Sequence, residues 1–143
     1  MQFKAEELKY LGRLRDAIRI VKGYTDSHWW HYPSHMMLAH LELADSETGA
    51  GIAALQHAAV LDIHACGRQG PYNTLAQVYL NLKQPEEAYH AQMKAIQRDP
   101  NQPLQYIMLA HILDLLNRKQ ESGEAIKHAE ELRNSVSTPG NRG

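Results

Sequence analysis

Nine histidines and one cysteine are the residues of this chain whose chemistry could reach beyond packing. His28, His31, His35 and His40 fall within thirteen residues around Trp29 and Trp30, and neutral imidazoles bind zinc, copper and nickel. One helix would bring His31 and His35 to the same face at i, i+4, but Pro33 interrupts it. No carboxylate stands among residues 28–40 to complete a catalytic zinc set, and there is no His-Glu-x-x-His motif. Cys66 has His64 nearby, yet a nucleophilic thiol needs an oriented base and an oxyanion site. It reads as an incidental residue of an exposed turn. Gly67-Arg68-Gln69-Gly70 lacks the lysine and the spacing of a phosphate loop. The expectation is a non-enzyme with no catalytic residue, no metal and no cofactor; the remaining role for the histidines would be pH or metal sensing.

Composition narrows the partners. Fifteen Lys and Arg oppose sixteen Asp and Glu, for a formal net charge of -1 and a pI near 6.7. A nucleic-acid binder shows a basic excess or stripe, so nucleic acid is not expected. No run approaches the roughly 18 apolar residues of a membrane span, and the mean hydropathy is -0.51. The first residues, Met1 to Glu7, hold no apolar targeting segment. A cytoplasmic protein without membrane insertion is the resulting expectation, with the location left open if the chain is a fragment of a longer protein. A single cysteine excludes a disulfide framework and any Cys-rich zinc site.

The elements that carry these residues read as helices throughout. Leu75, Val78, Tyr79 and Leu82 recur at i, i+3, i+4 and i+7, the spacing of one apolar helical face. Breakers are sparse and regular: Pro33, Gly67 to Pro71, Pro85, Pro100 and Pro103. Helices are expected over residues 3–12, 15–27, 34–45, 49–62, 71–82, 85–98, 104–116 and 119–133. Residues 135–143 have the composition of a flexible tail.

An internal repeat organises them. Met37-Leu38-Ala39-His40 returns as Met108-Leu109-Ala110-His111, and His57-Ala58 returns as His128-Ala129. Both recur 71 residues on, which is two 34-residue units and three residues more. Tyr72, Leu75, Ala76 and Tyr79, then Ala88, Gln92, Ala95 and Pro100, follow one order of large and small residues. Tyr106, Leu109, Ala110 and Leu113, then Ser122, Ile126 and Ala129, follow it again, as do His35, Leu38, Ala39, Gly51, Leu55 and Ala58. Ala5, Leu8, Gly12, Ala17, Val21 and Tyr24 match a unit lacking its first three positions. Lys4 and Glu42 depart from it, standing at positions that are normally apolar, and Trp29 and Ile63 take the place of a closing proline. The Trp29-Trp30 pair is expected to bury one ring between the first two units and to leave the other as an interface residue.

This pattern resembles the tetratricopeptide repeat over almost the whole chain. The resemblance implies an all-α, right-handed α-solenoid of about four helix-turn-helix repeats, near 1–31, 32–65, 69–102 and 103–136, in one domain over 1–134. Cys66-Gly67-Arg68 would be a three-residue insertion between the second and third repeats. It implies a protein-protein interaction module, a scaffold, adaptor or chaperone-like holder of a peptide or protein segment in a concave groove. An assembly domain for homo-oligomers, or for docking within a larger protein, is the alternative. Carried over position by position, the groove residues are Met36, His40 and Leu43, then Asn73, Gln77, Leu80 and Asn81, then Ile107, His111, Asp114 and Leu115. Family members that hold acidic C-termini of heat-shock chaperones use a groove lysine, where this sequence has Gln2 or Met36, so an apolar segment is the expected occupant.

Overall fold

The structure is a computed structural model and describes residues 12–61 and 70–137. Among the described residues are seven helices and no strand. They are α1 (Leu14–Ser27), α2 (Tyr32–Ala44), α3 (Thr48–Leu61), α4 (Pro71–Asn81), α5 (Pro85–Arg98), α6 (Pro103–Leu115) and α7 (Lys119–Ser137). Each begins and ends within about two residues of its expected bounds, except that α7 runs four residues further. Its last turns extend into the stretch expected to be tail, and Pro139, two residues on, disfavours helix at the residue before it. The helix expected over 3–12, and Cys66 with its insertion, lie outside the described residues.

The turns fix the phase of the repeat. Gly12, Ser46, Lys83 and Asn117 have φ of 77°, 62°, 61° and 60°, and they are 34, 37 and 34 residues apart. The longer step is the three-residue insertion. After each of the last three, the next N–H reaches back to a helical carbonyl: Glu47 to Glu42 at 2.8 Å, Gln84 to Tyr79 at 2.8 Å and Arg118 to Leu113 at 2.9 Å. This six-to-one bond closes the first helix of each pair and turns the chain into the second. Prolines open the following helices: Pro71, Pro85 and Pro103 stand at the first helical position, where a missing N–H removes no bond.

The chain divides into two compact units, Met1–Ile63 and His64–Gly143. The sequence at this division carries the insertion that breaks the 34-residue spacing. In the first unit α2 packs on α1 and α3; in the second, α4 packs on α5, α5 on α6 and α6 on α7. Small residues make the close contacts, as the repeat pattern requires. Ala17, Ala39, Ala76 and Ala88 are fully buried, Ala110 is 2% exposed and Ser122 is 4% exposed. Leu55 and Ile112 are fully buried among them, each contributing about 1.5–3 kcal/mol of transfer free energy.

Trp29 and Trp30 depart from expectation, because neither is buried: they are 61% and 56% exposed. Both belong to the α1–α2 turn, where their rings meet each other edge to face at 5.9 Å. Trp30 also lies 5.4 Å from His28, which stacks on Tyr24 at 4.1 Å. The rings pack on their own turn rather than between repeats.

Candidate functional site: the cavity between α4 and α6

Helices α4 and α6 are the first helices of consecutive repeats, and the faces they turn away from α5 and α7 line an open cavity of about 640 Å³. Asn73, Gln77, Leu80 and Asn81 line it from α4, and Leu104, Ile107, Met108, His111 and Leu115 from α6. The two walls differ in chemistry. Asn73, Gln77 and Asn81 recur at i, i+4 and i+8, so their amides form one stripe along α4. The α6 wall is aliphatic apart from His111, the one lining residue that can carry a charge.

The stripe is tied into the fold at one end. Asn73 Oδ1 accepts the Gly70 N–H at 3.2 Å, capping α4, while its Nδ2 donates to Gln105 Oε1 at 2.5 Å. Gln92, fully buried on α5, donates from Nε2 to the same Gln105 oxygen at 2.8 Å and to the Gln105 carbonyl at 3.0 Å. Gln105 Nε2 donates in turn to the Ala95 carbonyl at 3.3 Å. Three side-chain amides thus hold α4, α5 and α6 in register, and Asn73 serves this network. Further along, Gln77 Nε2 donates to Asn81 Oδ1 at 3.3 Å on an exposed surface. Their remaining amide groups face the cavity side of α4.

Seven of the eleven residues carried over from the repeat pattern line this cavity: Asn73, Gln77, Leu80, Asn81, Ile107, His111 and Leu115. Met108 was missed, although its place one helical turn after Leu104 puts it on the same face. Asp114 does not line the cavity. Its carboxylate turns to the start of α7, where Lys119 Nζ lies 3.5 Å away. In the first unit Met36 is half-buried and His40 exposed on α2. Leu43 is turned inward: its Cγ and Cδ2 fill the space over Gly51 of α3, 2.7 Å from where a Cβ would stand. It packs within its own repeat while staying partly exposed.

The histidine cluster is engaged in the α1–α2 turn. His31 Nδ1 accepts the Ser34 N–H at 3.3 Å and caps α2, while His35, 7% exposed, donates from Nε2 to the Trp29 carbonyl at 2.8 Å. Among the described residues no three His, Cys, Asp or Glu side chains gather as metal ligands. No helix among them is long and apolar enough to cross a membrane.

No curated protein matches the sequence. Solved structures of MamA do match in fold. A crystal structure of MamA is 21% identical with a TM-score of 0.76, over 93% of this chain and 76% of that one. A second MamA crystal structure is 21% identical with a TM-score of 0.77, over 94% and 72%. MamA from residue 41 to its end, from Desulfovibrio magneticus RS-1, is 18% identical with a TM-score of 0.71, over 94% and 74%. At these identities the likeness is one of fold. Residues 70–102 and 106–135 match the tetratricopeptide repeat model, and the turn spacing and buried small residues of the other described helices follow the same repeat pattern.

Proposed function

We propose that this protein is a non-enzymatic protein-interaction module that holds a peptide or protein segment in the α4–α6 cavity. The observation that carries this is the split lining: a stripe of amides on α4 faces an aliphatic wall on α6, with no carboxylate or ammonium group between them. Residues four apart on a helix are about 6 Å apart along its axis. Alternate residues of an extended chain are about 6.7 Å apart. A segment lying along α4 can therefore present a backbone group to Gln77 and another to Asn81, while its apolar side chains contact Leu104, Ile107, Met108 and Leu115. An Asp-rich peptide would lose hydration here without meeting the cations that make strong charge-assisted bonds.

Selection of a random-peptide library on the purified chain tests this, followed by titration calorimetry of the enriched peptides. The expected peptides carry apolar residues and few Asp or Glu. Leu80→Glu with Ile107→Glu should abolish their binding by placing two unpaired charges in a desolvated site. Enrichment of acidic peptides, or binding unaffected by the double substitution, would overturn the reading.

A further inference from the structure

One pair of repeat positions, 22 residues apart, brings a ring on the first helix against a basic side chain on the second in each repeat whose two helices are both described. His35 and His57 have ring centroids 4.3 Å apart, inclined at 39°. Lys94 Nζ lies 5.6 Å from the Tyr72 ring centroid, and Tyr106 meets His128 edge to face at 4.4 Å. The pairs follow the spacing of the turns, with a step of 37 residues and then one of 34. Only in the first unit are both members of the pair histidines.

We propose that mild acid loosens the first unit and leaves the second closed, because only in the first unit is the first-helix ring of this series a buried imidazole, packed against a second imidazole. His35 is buried, and its neutral ring holds the Trp29 carbonyl through Nε2. A proton there would charge an imidazole that water scarcely reaches, in contact with a second imidazole on α3. The charged groups acting on it are His57 from α3 and His31 from the α1–α2 turn, and no charged group of α1 is among them. Helix α3 carries no other titratable residue. Burial, opposed by the bond to Trp29 and reinforced by His57 and His31, holds the His35 ring below the ordinary histidine value.

The unfolded chain therefore takes the proton before the folded one does. The stability that neutral His35 contributes is complete above about pH 6.5 and is lost as the pH falls below it. Glu42, on the same helix and buried, works in the opposite direction, since acid neutralises it. Acid loosening of this unit cannot come from Glu42. In the second unit the corresponding first-helix rings, Tyr72 and Tyr106, are phenols rather than imidazoles, and Glu131 Oε2 lies 3.9 Å from His128 Nδ1.

Hydrogen exchange of the full chain at pH 7.5 and 5.5, read peptide by peptide and corrected for intrinsic rates, tests the proposal. Each proton taken up on opening raises the opening constant tenfold per pH unit. Exchange in 32–61 should thus accelerate by up to about tenfold, while 71–135 changes by less than about twofold. His35→Tyr places in the first unit the ring found at Tyr72 and Tyr106, and should remove the acceleration. His57→Gln, at an exposed position that tolerates change, should reduce it even if the first variant folds poorly. Equal acceleration in both units, none in either, or a response unchanged in both variants would overturn the proposal.

Discussion

Leu43 of α2 occupies the space that a side chain at Gly51 of α3 would need. A Cβ built at Gly51 would stand 2.7 Å from both Cγ and Cδ2 of Leu43 and 3.4 Å from the Ala39 carbonyl oxygen. Gly51→Ala should therefore destabilise the protein in urea titration by about 1–2 kcal/mol, because overpacking outweighs the helix propensity gained. In a Leu43→Ala background the same change should be neutral or stabilising, giving a large coupling in the double-mutant cycle. Equal effects in both backgrounds would mean that the two side chains do not compete.

Glu42 is 7% exposed, and its Oε1 has no hydrogen-bond partner. Burial raises its carboxyl above the ordinary range, with Lys22 opposing and Glu47 reinforcing the shift. The folded state thus holds the proton more tightly than the unfolded chain does. Stability from this group is full below the unfolded value of about 4.5 and is lost as the pH climbs through the raised folded value. The other repeats place an apolar or aromatic residue here, Tyr79 and Leu113. Glu42→Leu should raise stability by about 1–2 kcal/mol at pH 7, and by less at pH 5. Thermal melts at the two pH values check both sign and trend.

Gln92 is fully buried at the position filled by Leu55 and Ile126 in neighbouring repeats, and its Oε1 has no partner. Gln92→Leu keeps the volume, removes that orphan oxygen and loses two donated bonds, so the net cost should be about 1 kcal/mol. Gln92→Glu is the sharper test. It sets a buried carboxylate against the two Gln105 oxygens and should cost about 3 kcal/mol or more at neutral pH. Denaturation curves in which the two variants behave alike would show that the amide network does not set the register of α5 and α6.

The small residues and turns were legible because the repeat encodes packing within one helix pair. Ala17, Gly51, Ala88 and Ser122 could be placed from spacing alone, and so could the sequence of helices. The groove was harder, because a repeat position says which way a residue starts but not what it then meets. Leu43, Leu80 and Asp114 share one position and end in three places. Gly51 leaves Leu43 a hollow to fill, whereas Ala88 at the matching place under Leu80 carries a Cβ, and Leu80 lines the cavity. Asp114 is drawn to Lys119. One ring of the Trp29–Trp30 pair was misplaced for a related reason: the pair lies in a turn where the pattern specifies no packing partner, and the two rings pack on one another.

Asn73 and Asn81 stand at opposite ends of one amide stripe but should fail differently when truncated. Asn73 caps α4 through Gly70 and donates to Gln105 of α6, so its amide belongs to the folded scaffold. Asn73→Ala should lower stability by about 1–2 kcal/mol, through loss of the cap and of a bond into a buried network. Asn81 is exposed at the end of α4, and among the described residues its side chain accepts a bond from Gln77 on the same surface. Asn81→Ala should change stability by less than about 0.5 kcal/mol. It should weaken an apolar peptide about five- to tenfold, the worth of one hydrogen bond near 1 kcal/mol. Melting curves and calorimetric titrations on the same two variants separate these outcomes. If Asn81→Ala left peptide affinity unchanged, the stripe would be part of the scaffold along its whole length, and the aliphatic α6 wall alone would have to hold the partner.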